Sequence, residues 1–142
     1  MRRREFVTAV GIFSAMALAP GRLSAAETPE DAAKAAADAW LVLVDKGQYA
    51  ESWEQAAKLF KGAVTQDKWK EAATAVRAPL GKVVSRKLKS RQLTESLPGA
   101  PAGRYVIIEY DTEFEKQPSA VEIVTPMADP DGAWRVSGYF IR

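Results

Sequence analysis

The hydrophobic pattern of this chain changes period once, near Gly81, and that change does more than any other feature to restrict the fold. Before it, apolar residues recur every three or four positions; after it, they alternate with polar ones. Thr28-Pro29-Glu30-Asp31 offers an N-cap hydroxyl, a proline at the first helical position and acids in the first turn, so a helix begins there. Ala33, Ala36, Ala37, Trp40, Leu43 and Val44 carry its apolar face to a stop at Gly47. Tyr49, Trp53, Ala56, Leu59 and Phe60 predict a second helix closed by Gly62. Thr65 caps a third, which carries Trp69, Ala72, Ala73 and Val76 and must end before Pro79.

Residues 83–97, 104–115, 120–127 and 133–141 then read as four strands. They are joined by Pro98-Gly99-Ala100-Pro101, by Gln117-Pro118 and by Asp129-Pro130-Asp131-Gly132, connections short enough for an antiparallel meander. The expected class is α+β, with about three helices on one face of a four-stranded meander sheet. In the second strand Val106, Ile108, Tyr110 and Phe114 face the helices, and Glu109, Asp111, Glu113 and Glu115 face water. A hairpin about the Pro-Gly-Ala-Pro loop sets Arg91 opposite Glu109, Lys89 opposite Asp111 and Lys87 opposite Glu113. The basic run is then paired across the solvent face, with no anionic ligand needed to explain it.

Residues 1–26 stand apart. Arg2, Arg3 and Arg4 precede an apolar stretch, 7–19, and Ser24-Ala25-Ala26 supplies small residues before Glu27. This is the arrangement of a removable signal peptide, and about 13 apolar residues fall short of the ~20 that a membrane-spanning helix needs. Arg3-Arg4-Glu5-Phe6-Val7 also resembles a twin-arginine export signal, although Arg2 stands where that motif usually has Ser or Thr. The expectation is an exported protein, periplasmic or secreted, with no membrane anchor after cleavage and a single domain over 27–142. The whole chain has 20 basic and 18 acidic residues; without Arg2, Arg3, Arg4, Arg22 and Glu5 the counts become 16 and 17. A domain with net charge −1 lacks the positive field that nucleic-acid binding requires.

The absence of two residue types narrows the chemistry. With no Cys there is no disulfide framework, thiolate nucleophile or lipid-attachment site. With no His there is no imidazole base and no His-ligated metal, so acid–base work would fall to Asp, Glu, Lys or Tyr. Glu109, Asp111 and Glu122 are the carboxylates to consider, and the strand alternation turns the first two outward. The loop at Asp129 lacks the ligand spacing of a calcium site and reads as a hairpin turn. No catalytic set, metal site or cofactor motif stands out. Trp40, Trp53, Trp69 and Trp134 lie on predicted apolar faces, where they fill volume. If a pocket opens between helices and sheet, Tyr49 and Trp53 sit near its mouth, and Tyr110, Glu122 and Trp134 complete the candidate ligand-contacting residues.

The stretches 39–45, Gly47-Gln48-Tyr49 with Ser52-Trp53, Arg77-Ala78-Pro79-Leu80-Gly81, Ser85-Arg86-Lys87-Leu88, 97–101 and Trp134-Arg135-Val136-Ser137-Gly138-Tyr139 resemble the bacterial family called domain of unknown function 4019. That resemblance covers nearly all of 32–142 and implies a fold and export, with no activity to transfer. More loosely, a three-helix start with Gly-x-Tyr before a Trp, followed by four strands, is similar to the cone-shaped folds of the nuclear-transport-factor-2 and cystatin-like type. Those folds host enzymes, binding modules and assembly domains alike. The expected function is a non-catalytic binding or protein-interaction module taking a small ligand or a protein partner. The alternatives are a small hydrolase- or isomerase-like enzyme with a carboxylate base, and an assembly domain pairing through its exposed sheet.

Overall fold

Thr28 caps the first helix as its hydroxyl suggests: Asp31 N–H donates to Thr28 Oγ1 at 3.1 Å, and the Asp31 carboxylate accepts from the Thr28 N–H. In this computed structural model, which describes residues 27–142, α1 (Pro29–Asp45) is followed by α2 (Tyr49–Glu54), α3 (Lys58–Ala63) and α4 (Gln66–Arg77). A 3-10 turn (Ala78–Leu80) then leads into β1 (Val83–Thr94), β2 (Tyr105–Phe114), β3 (Gln117–Ala128) and β4 (Trp134–Ile141). The strands form one antiparallel sheet in the order β1-β2-β3-β4. The expected α+β meander is what the chain forms. The signal peptide expected at 1–26 lies outside the described residues.

The second predicted helix is in fact two. Ala56 and Ala57 are fully buried, and Ala57 N–H leaves the helical ladder to donate to the Val136 carbonyl of β4 at 2.8 Å. Binding that strand outweighs one more helical hydrogen bond, so the chain turns between α2 and α3. The step also lets Phe60 of α3 meet Trp69 of α4, ring centroids 5.0 Å apart.

The core lies where α1 crosses the sheet. Ala33, Ala37, Trp40, Leu41 and Val44 of α1 pack with Val106, Ile108, Tyr110, Val124 and Val136, the inward residues of the strands. Trp40, Trp69, Phe60 and Tyr139 stack edge-on or tilted at 5.0–6.5 Å, a favourable geometry for aromatic rings. Ser52 is buried among them and satisfies both indoles, its carbonyl accepting from Trp40 Nε1 at 2.9 Å and its hydroxyl from Trp69 Nε1 at 2.8 Å. Trp53 and Trp134 are only half-buried at the core's margin.

The β1–β2 register departs from expectation. Lys87 lies opposite Asp111, Ser85 opposite Glu113 and Ser90 opposite Glu109, with a bulge at Lys89. The extra residue changes which side chains of β1 face the helices, so both Arg86 and Arg91 point inward, opposite Thr112 and Ile108. Arg91 Nη1 reaches Asp31 of α1 at 2.7 Å. Of the expected solvent-face pairs, only a Lys87 pairing survives, with Asp111 in place of Glu113. The β2–β3 connection is also tighter than predicted: Glu115 and Lys116 make the turn, and Pro118 falls near the start of β3, where a missing N–H is tolerated. Pro126, farther along β3, sits at a register shift against β4.

Candidate functional site

Four charged residues from separate elements converge beneath the C-terminal ends of α1 and α4. Asp45 is the last residue of α1, Arg77 the last of α4, Arg86 lies in β1 and Glu122 in β3. A cation suits the end of α4, where the helix dipole is negative; an acid at the end of α1 does not, and needs partners. Asp45 has them. Arg86 donates to it from Nη1 at 2.8 Å and Nη2 at 3.0 Å, and Arg77 from Nη2 at 2.9 Å. Partial burial pushes the Asp45 carboxyl up, but Arg86 and then Arg77 more than offset that and hold it below its ordinary value.

Behind Asp45, Arg86 Nε donates to Glu122 Oε1 at 2.7 Å. Glu122 is completely buried, and a buried carboxylate is tolerated only when its oxygens are paired. Thr112 Oγ1 donates to the same oxygen at 2.6 Å, and the Tyr139 hydroxyl donates to Oε2. Burial, reinforced by the Glu122 charge, raises Tyr139 far above the ordinary tyrosine value, so it stays a donor. Arg86 loses some proton affinity to desolvation and regains more from Asp45 and Glu122; its charge is permanent. The result is a linear alternation of charge, Glu122, Arg86, Asp45, Arg77, knitting β3 and β1 to both helix ends.

Arg77 is the member left incomplete. Its guanidinium lies 5.1 Å from the Phe114 ring centroid, and its Nε and Nη1 are buried without a hydrogen-bond partner among the described residues. It borders a cleft of about 450 Å³ whose wall also includes Asp45, Tyr49, Lys82, Glu115 and Lys116. Backbone bonds set this wall: Glu115 N–H donates to Lys82 O and Lys116 N–H to Leu80 O, both at 2.9 Å, drawing the β2–β3 turn onto the segment after α4. Gly81, at φ 76°, makes the close approach possible, since a Cβ there would stand 3.1 Å from Glu115 Cβ.

The five residues expected to contact ligand do not share one pocket. Tyr49 lines the cleft, and Glu122 stands behind it as the buried anchor of the charge network. Tyr110 is buried and donates to Asp38 of α1 at 2.6 Å, where Lys34 also binds; burial and then Asp38 raise its hydroxyl far above the ordinary value. Trp53 donates from Nε1 to the Val64 carbonyl at 2.8 Å and ties α2 to the C-cap of α3. Trp134 lines a separate groove of about 380 Å³ with Trp40, Leu43, Glu51, Gln55 and Arg135. Around the Asp129 turn, Arg135 takes both Asp129 and Asp131, which leaves those carboxylates committed. Asp45 and Arg77 are outside the expected contacts, and Arg86, a member of the basic run read as lying on the solvent face with Lys87, Lys89 and Arg91, turns inward instead. Yet Trp69, Ala73 and Arg77 step by four along the buried face of α4, and Leu41 and Asp45 step by four on α1.

Residues 36–139 match the family described as a protein of unknown function, DUF4019. The chain belongs to this family. The matched span of the DUF4019 domain takes in Asp45, Arg77, Arg86 and Glu122 and ends on Tyr139, so the whole charge network lies within it. No curated protein matches the chain. No described helix is long and apolar enough to cross a membrane.

Proposed function

We propose that this DUF4019 domain is a non-catalytic binding module, exported to the periplasm or beyond by cleavage of residues 1–26. The observation that supports it is the commitment of the acids in its charge network. A general base needs a free lone pair directed at the substrate and a proton affinity near the working pH. Glu122 has both oxygens occupied by Arg86, Thr112 and Tyr139, and Asp45 has both occupied by arginines. Clefts remain at the C-terminal end and along the flank of α1, where a ligand can be held without being altered.

The test is a mass balance. Purified mature domain is incubated with a metabolite extract, and bound and free fractions are compared by mass spectrometry. A retained, unaltered compound is the expected result; depletion of a compound with appearance of its product overturns the reading. The same material carries the export proposal, since intact mass from a periplasmic fraction should place the first residue at Glu27 or within a residue or two. Full-length chain starting at Met1 would overturn that part.

A further inference from the structure

We propose that the cleft bordered by Arg77 binds a small organic anion through a carboxylate or phosphate group. This rests on reading the domain as a binding module, and it names the ligand class and the place. The decisive residue is Arg77, whose side chain is 6% exposed. A guanidinium carries five N–H donors, and buried donors are almost always paired. Here Nη2 serves Asp45 while Nε and Nη1 serve no described residue. The Phe114 ring faces part of the charge but cannot accept at both nitrogens in their plane. An acceptor is missing beside a cleft, and two oxygens of a carboxylate or a phosphate match a guanidinium edge in a way that a neutral group does not.

The cleft's other polar groups agree. Lys82 and Lys116 stand on the wall and make no ion pair among the described residues, and the Tyr49 hydroxyl makes no hydrogen bond among them. The acids present are already engaged: Asp45 holds two arginines, and Glu115 Oε1 accepts from the Lys82 backbone N–H at 2.7 Å. Counting the network behind the wall, Arg77, Arg86, Lys82 and Lys116 face Asp45, Glu122 and Glu115, an excess of one positive charge. A cleft of about 450 Å³ lies in the size range of small-molecule sites. Lys82 and Lys116, exposed at the rim, meet the anion first. Nε and Nη1 are buried on different edges of the guanidinium, so when it tips outward the anion takes one of them together with the second Nη2 hydrogen, the first staying on Asp45.

The experiment titrates mature domain by calorimetry and thermal shift with acetate, succinate, inorganic phosphate and glycerol phosphate, with acetamide and glycerol as neutral controls. The two anion series distinguish a carboxylate site from a phosphate site. At least one series should bind one-to-one, and binding should weaken as ionic strength rises through about 0.15 M. Affinity should fall about tenfold in Arg77→Met, the loss expected for a paired charge-assisted contact, and by a smaller factor in Arg77→Lys. Lys82→Ala/Lys116→Ala, confined to exposed side chains, should weaken binding severalfold and decides the matter if Arg77→Met fails to fold. The proposal is overturned if no anion binds the folded wild type at about 10 mM, which would leave water as the acceptor for Arg77, or if the double lysine variant binds as tightly as wild type. Failure of the anions alongside retention of an unaltered neutral compound from the extract removes this proposal and keeps the binding module. Product formation from the extract removes the binding module itself.

Discussion

At the scale of single residues, Asp45 is a partly buried group whose ionised form the fold favours. Its folded-state value lies below the ordinary 3.8, so folding favours the ionised form. The sign follows from proton linkage: this stabilisation is fully present above about pH 4 and is lost as pH falls through the depressed folded value. Wild-type stability should therefore decline on acidification below pH 4, and Asp45→Asn should show a shallower decline from a lower starting point. Chemical denaturation from pH 2 to 7 measures both; parallel profiles would mean that Asp45 gains nothing from its arginines. Much of this chemistry was hidden in the sequence, because a charged residue at the end of an apolar helix stripe looks the same whether it reaches solvent or turns inward. Arg77 and Asp45 continue their stripes in spacing, but their inward placement depends on each other and on Arg86, which no local pattern reveals. Glu122 was accessible to sequence reasoning because strand alternation left it the one candidate acid not turned outward.

At the scale of elements, the helix and strand content follows from local signals, and the departures come from contacts distant in sequence. The break between α2 and α3 answers to a carbonyl on β4, and the bulge at Lys89 answers to the acids of α1 and β3 that hold Arg91 and Arg86. A strict two-residue period cannot foresee an inserted residue, so the predicted charge pairs were displaced while the acids of β2 stayed on the solvent face as expected. The observed register makes its own prediction. Lys87 faces Asp111, so Lys87→Glu should cost ~0.2–1 kcal/mol, and adding Asp111→Lys should recover it. The same exchange at Lys89 and Asp111 should show no coupling, since Lys89 is the bulged residue. A double-mutant cycle by urea denaturation measures both, and coupling at Lys89 in place of Lys87 would refute the register.

At the scale of the whole molecule, α1 packs on the inward side of the sheet and touches strands from both of its edges, and the charge network repeats that connection with ionic groups. Helices and sheet therefore have no separate cores. Loss of far-ultraviolet signal and of tryptophan fluorescence should coincide in denaturation, whereas two separated transitions would show that the helical half stands alone. The order of elements along the chain has a further consequence. Trp40 and Leu41 are made early, but Val136 and Tyr139, which complete their packing, lie in the last strand. A ribosome making this protein presents an apolar helix long before its counterpart emerges, so the final collapse waits until β4 has been made, and for that interval the nascent chain depends on whatever keeps it from aggregating.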